Sequence, residues 1–137
     1  MRELKGWLKW VVSFCLVAVA VFHLYTAIFG VFQPRIQRGI HLMVLLPMAF
    51  LLFPASKTKS PTDRPTVLDC ILAILAIFPP LYLMLSDARL NMRYEMIDPV
   101  HPVETVLGLI NIILLIEAVR RVVVPAMAIL ISLFLVY

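Results

Sequence analysis

The chain alternates long apolar runs with short charged stretches. No charged residue lies between Trp10 and Pro34, and further apolar runs occupy 39–56, 67–85, 103–119 and 122–137. A membrane barrel strand would instead alternate over about ten residues. Backbone groups in lipid must find partners within the chain, so long unbroken runs predict helices. The pattern predicts an all-α polytopic membrane protein of about four to five transmembrane helices. They are expected over 8–32, 39–55, 67–85, 103–119 and 122–137, as a single membrane domain.

Local signals refine these segments. Trp7 and Trp10 mark one interface of the first, and Tyr25, Phe29 and Phe32 the other. Ala18-Val19-Ala20 resembles a leader cleavage site, but the apolar run continues to Phe32, which favours an uncleaved anchor. Pro47 falls in the middle of the second segment and Pro54 closes it. Asp69 sits in the first turn of the third, where the helix dipole favours a negative charge. Pro79-Pro80 predicts a kink or an early end there. Pro102 or Val103 opens the fourth segment, with Glu104 in its first turn. The fifth carries no charge after Arg121. At about 1.5 Å per residue it crosses only most of a core of roughly 30 Å, so a chain truncated at its C-terminal end is expected. The last two segments could be two helices or one helix bent near Pro125.

Composition agrees with the pattern: 63% of the 137 residues are hydrophobic and 15% are charged. The net charge of +4 reads as an orientation signal, and no basic cluster is dense enough for nucleic acid. With the N-terminus inside, the inner segments hold Arg2, Lys5, Lys9, Lys57, Lys59, Arg64, Arg120 and Arg121. The outer ones hold Arg35, Arg38, Arg89 and Arg93. This bias predicts a cytoplasmic N-terminus. Cys15 and Cys70 lie in apolar runs and read as small buried hydrophobes.

The polar constellations point to structure more than to chemistry. Glu117 precedes Arg120 and Arg121 by one helical turn, in the favourable acid-then-base order. The arginines alone fit side chains snorkelling to headgroups. Glu117 lies deeper, which favours an ion pair buried between helices or at a subunit contact. A conduction path is not expected, because no second acidic residue is read at membrane depth. Arg38 and His41 share a face at the start of the second segment, near the interface, and predict a hydrogen bond to a neighbouring helix. His23 reads as a packing residue and His101 as a loop residue, and the histidines share no metal-ligand spacing. No serine sits in a nucleophile motif and no glycine-rich phosphate loop exists, so neither an enzyme nor a cofactor is expected. The cluster Asp87, Arg89, Arg93, Glu95 and Asp98 reads as a solvated loop that could dock a soluble partner.

Two stretches carry a family resemblance. QRGIHLMVLLPMAFLLFP (37–54) resembles the Arg-x-x-His-Leu segment of fused permeases of tripartite ATP-independent periplasmic (TRAP) transporters. DPVHPVETVLGLINIILLIEAVRRVV (98–123) resembles the stretch that follows in them, where an apolar helix ends in Leu-Glu-Ala-x-Arg-Arg. The match is best to the branch whose binding proteins are called TAXI. It covers essentially the whole chain, but only the front part of the family protein.

The resemblance implies the small-subunit-like membrane domain of a binding-protein-dependent, ion-coupled secondary transporter for organic acids, in a bacterial inner membrane. Its implied partners are a large multi-helix permease subunit or domain, a periplasmic substrate-binding protein and the lipid bilayer. The large part would carry the sodium and substrate sites and move, while this part braces it as a scaffold. Arg38, His41, Glu117, Arg120 and Arg121 would be signature positions that pair helices and set depth. Two departures stand out: Val124 occupies a place where glycine is expected, and the large domain is missing. Alone, the chain is not expected to transport. The competing expectation is a free-standing integral membrane scaffold or assembly protein unrelated to transport.

Overall fold

The computed structural model describes residues 2, 4–56, 61, 64–94, 97–123 and 125–136. Among them are α1 (Trp7–Phe29), α2 (Pro34–Leu52), α3 (Val67–Leu75), α4 (Phe78–Leu85), α5 (Asp87–Asn91), α6 (Pro102–Val122) and α7 (Pro125–Val136). The described residues form no strand. Among the described residues, four stretches are long and apolar enough to cross a membrane: α1, α2, α3 with α4, and α6. The chain is therefore an all-α polytopic membrane protein. Lys57, Lys59, Glu95, Val124 and the C-terminal Tyr137, each used in the sequence reading, lie outside the described residues.

Each helix boundary has a local cause. Gly6 and Gly30 flank α1 at φ 70° and 107°, a region that side chains with a Cβ avoid. Gly30 therefore ends α1 three residues earlier than the apolar run suggests. Pro34 then opens α2, since proline fits a first helical position that needs no N–H donor. This start lies five residues before the predicted one and places Arg35 and Arg38 on helix, not in a loop. Pro47 stays inside α2 without ending it. The third span breaks where the double proline demands. Pro79 and Pro80 have no N–H for the carbonyls of Leu75 and Ala76. α3 stops at Leu75, and α4 restarts with both prolines in its first turn. The loop after it holds a short helix, α5, which the hydrophobic pattern does not predict. α6 runs three residues past its predicted end, so Glu117, Arg120 and Arg121 share one helix. A new helix begins at Pro125; with 12 residues, α7 is about 18 Å long, well short of a full span.

α2 is the hub. It touches α1, α3, α4 and α6. The buried cluster comprises Leu46 and Phe50 from α2, Ala73 and Ala76 around the end of α3, and Leu114 and Ala118 from α6. Lipid is as apolar as leucine, so helices in a membrane associate through close packing and polar contacts. Alanines at the contact let the backbones approach. Gly39 does the same where α2 meets α4: a Cβ there would fall 2.7 Å from Met84 Cγ. Large apolar side chains such as Trp10, Phe14, Leu24 and Phe29 point outward, as a lipid-facing surface requires.

Candidate functional site

The sequence places its charges at helix ends, and the bundle gathers them into two clusters at opposite ends. The first surrounds Asp69. Thr66 caps α3: its hydroxyl accepts the Asp69 N–H at 3.4 Å, and its own N–H donates to Asp69 Oδ2 at 3.0 Å. This reciprocal cap fixes the carboxylate rotamer. The Thr66 hydroxyl also donates to Oδ2, at 2.6 Å. Held this way, and fully buried, Asp69 receives two guanidinium groups. Arg2 Nη2 donates to Oδ2 and Arg121 Nη1 to Oδ1, each at 2.6 Å.

Both arginines reach further. The Arg2 backbone N–H donates to the Leu52 carbonyl at 2.8 Å, and its side chain donates to the carbonyls of Leu51 and Pro61, both at 3.2 Å. The last carbonyls of a helix lack internal partners. α2 has no basic residue in its own last turn, so cations from elsewhere in the chain serve its C-terminal end. Arg121 Nη1 approaches the Phe53 carbonyl at 3.5 Å, and its guanidinium lies 5.0 Å over the Phe50 ring. Arg121 Nε donates to Glu117 Oε1 at 2.7 Å. Arg120 grips the same carboxylate with two 2.7 Å bonds and reaches the Ala55 carbonyl at 3.4 Å. The N-terminal segment, the end of α2, the start of α3 and the end of α6 thus meet in one network.

The placement of the expected residues differs in one respect. Glu117 does pair with Arg120 and Arg121, but it sits at the rim, with 27% of its side chain exposed. The fully buried carboxylate is Asp69. From the sequence alone, Asp69 is expected to complement a helix dipole and Arg2 to orient the chain, with no second acid near the depth of Glu117. The available signal was the Thr66-x-x-Asp69 spacing, a capping-box pattern directly before an apolar run.

The second cluster clips the opposite end. Arg35 Nη1, on α2, donates to Asp87 at 3.0 Å and to Asn91 at 2.7 Å. Arg89 and Arg93 converge on Glu104, in the first turn of α6. Arg89 also donates to the Tyr82 hydroxyl at 3.0 Å. Its hydrogen bond to Glu104 pushes the Arg89 pKa above its ordinary value, so the guanidinium stays charged. Part of the stretch expected as a solvated loop is therefore tied to the helices it connects.

His41 and His23 form a further pair. His23 Nε2 and His41 Nδ1 lie 2.8 Å apart, joining α1 to α2. Arg38 makes no hydrogen bond or ion pair with any described residue, although the sequence reading grouped it with His41. Among the described residues, no three His, Cys, Asp or Glu side chains cluster as a metal site would require. Asn111 Oδ1 is buried without a protein partner beside a cavity of about 50 Å³ between α4 and α6, room for a water molecule. No family model, curated protein or solved structure matches this chain.

Proposed function

We propose that the chain is the small membrane scaffold of a binding-protein-dependent, ion-coupled secondary transporter for organic acids, not competent for transport alone. It would sit in a bacterial inner membrane beside a large multi-helix permease subunit or domain, served by a periplasmic binding protein. The resemblance of 37–54 and 98–123 to TRAP permeases motivates this reading. One structural observation carries its scaffold half. The most buried charges among the described residues, Asp69, Arg2 and Arg121, are consumed in locking helix ends together. A transported ion needs a site that can empty and refill. Asp69, with two arginines and a capped helix on its two oxygens, offers a brace instead.

Co-purification tests the proposal. The tagged full-length chain is expressed in its native host, solubilised gently, and its companions are identified by mass spectrometry. Recovery of a large multi-helix permease in stoichiometric amount is the expected result. A stable chain recovered with no permease, or with unrelated assembly factors, contradicts the transporter reading and favours a free-standing scaffold.

A further inference from the structure

Arginines on the described helices come with a carboxylate, with one exception. Arg35 has Asp87, Arg89 has Glu104, Arg120 has Glu117, and Arg121 has Asp69. Arg38 has no described partner; it lies one turn into α2, an apolar helix long enough to span a membrane, and its side chain is exposed. A guanidinium facing lipid is costly without an anion. Arg38 lines a cavity of about 560 Å³ between the end of α1 and the start of α2. Gln37, His23 and His41 give that cavity further polar groups, and Phe32 and Leu42 give it apolar wall. No lining residue is acidic. The polar groups beside Arg38 are already engaged with each other: His23 with His41, and Gln37 Nε2 with Thr26 Oγ1 at 3.4 Å. Among the described residues, none supplies a counter-ion to Arg38.

We infer that this cavity holds the phosphate of an anionic phospholipid, paired with Arg38, with an acyl chain against Phe32 and Leu42. Three observations select a lipid over a small anion. The cavity adjoins exposed lipid-facing residues, Val31 and Phe32 among them. Its walls join polar and apolar surface, as a headgroup and its chain require. It also sits where one candidate span ends and the next begins. Guanidinium groups suit phosphate because their forked donors match its oxygens. Basic pockets between transmembrane helices are a known form of headgroup site. The inference stands independently of the transporter reading.

The test uses the full chain purified in a neutral detergent. Phosphatidylglycerol and phosphatidylcholine compete for it, and native mass spectrometry counts the lipid retained. The wild type should prefer phosphatidylglycerol by roughly tenfold, the factor that one charge-assisted hydrogen bond readily supplies. Arg38→Gln should bring the ratio close to parity, while Arg64→Gln, in the loop before α3, should leave it unchanged. Should Arg38→Gln not fold, Arg38→Lys carries the comparison. Lysine keeps the charge and loses the fork, so the ratio should fall between wild type and parity. Parity in the wild type overturns the inference, as does a preference untouched by the Arg38 variants. Displacement of the lipid by millimolar inorganic phosphate would assign the cavity to a small anion and overturn the lipid.

Discussion

At the scale of single residues, the contrast between Asp69 and Glu117 organises the energetics. Both accept hydrogen bonds from two arginines, and both accept from Arg121. Asp69 is fully buried, whereas Glu117 keeps 27% of its side chain exposed. Removing one member of a buried pair strands the other charge, at a cost of about 3–5 kcal/mol. Exposed pairs contribute about 1 kcal/mol or less. Asp69→Asn should therefore destabilise the chain by about 3–5 kcal/mol. Glu117→Gln should cost about 1 kcal/mol or less and leave any substrate preference unchanged. Denaturant unfolding in mixed micelles separates the two, and equal losses would place the buried charge at Glu117 instead. Both variants keep the size of the side chain, so packing alone does not explain a difference.

At the scale of elements, the contact between α2 and α4 depends on Gly39. A methyl group there would lie 2.7 Å from Met84 Cγ and 3.0 Å from its Sδ, so the Met84 side chain must move. A larger side chain would also press on the Pro80 carbonyl, which lies 3.7 Å from a Cβ at Gly39. Gly39→Ala should cost about 1 kcal/mol, and Gly39→Leu should cost more, up to about 3 kcal/mol by overpacking. The same unfolding assay reads both, and a neutral Gly39→Leu would mean that α2 and α4 are not in tight contact.

The elements themselves were largely legible. Apolar run length located four spans, because lipid imposes helix on any long apolar segment. Pro79-Pro80 announced the break between α3 and α4 through its missing donors. Boundaries moved where local chemistry outweighed hydropathy: Gly30 shortened α1, and Pro34 lengthened α2. α5 was not legible, since five polar-to-mixed residues in a loop carry no clear period. The clusters were half legible. Glu117 and Arg121 are four apart on one helix, so their pairing follows from spacing. Arg2 and Asp69 are 67 positions apart, and only the packing of helix ends brings them together. His23 and His41 met for the same reason, across the α1–α2 hairpin.

At the scale of the whole molecule, the two clusters define two faces. Arg2, Asp69 and Arg121 mark the face that carries the N-terminal segment, and Arg35, Asp87 and Glu104 mark the other. The first face holds more basic residues than the second, which predicts that it is cytoplasmic. Single cysteines at Ala55 and Met92, in a background lacking Cys15 and Cys70, check this arrangement. An impermeant thiol reagent should label Met92→Cys in intact cells and Ala55→Cys only after permeabilisation. Labelling of both from one side would contradict the crossing made by α3 and α4.

Asp69 and Arg121 act as one unit that locks α3 to α6. A double-mutant cycle tests this most directly, with Asp69→Asn, Arg121→Gln and the pair together unfolded under identical conditions. The predicted result is a coupling energy of about 2 kcal/mol or more, with the double variant more stable than the sum of the single losses implies. Losses that add within about 0.5 kcal/mol would show two independent side chains and contradict the lock.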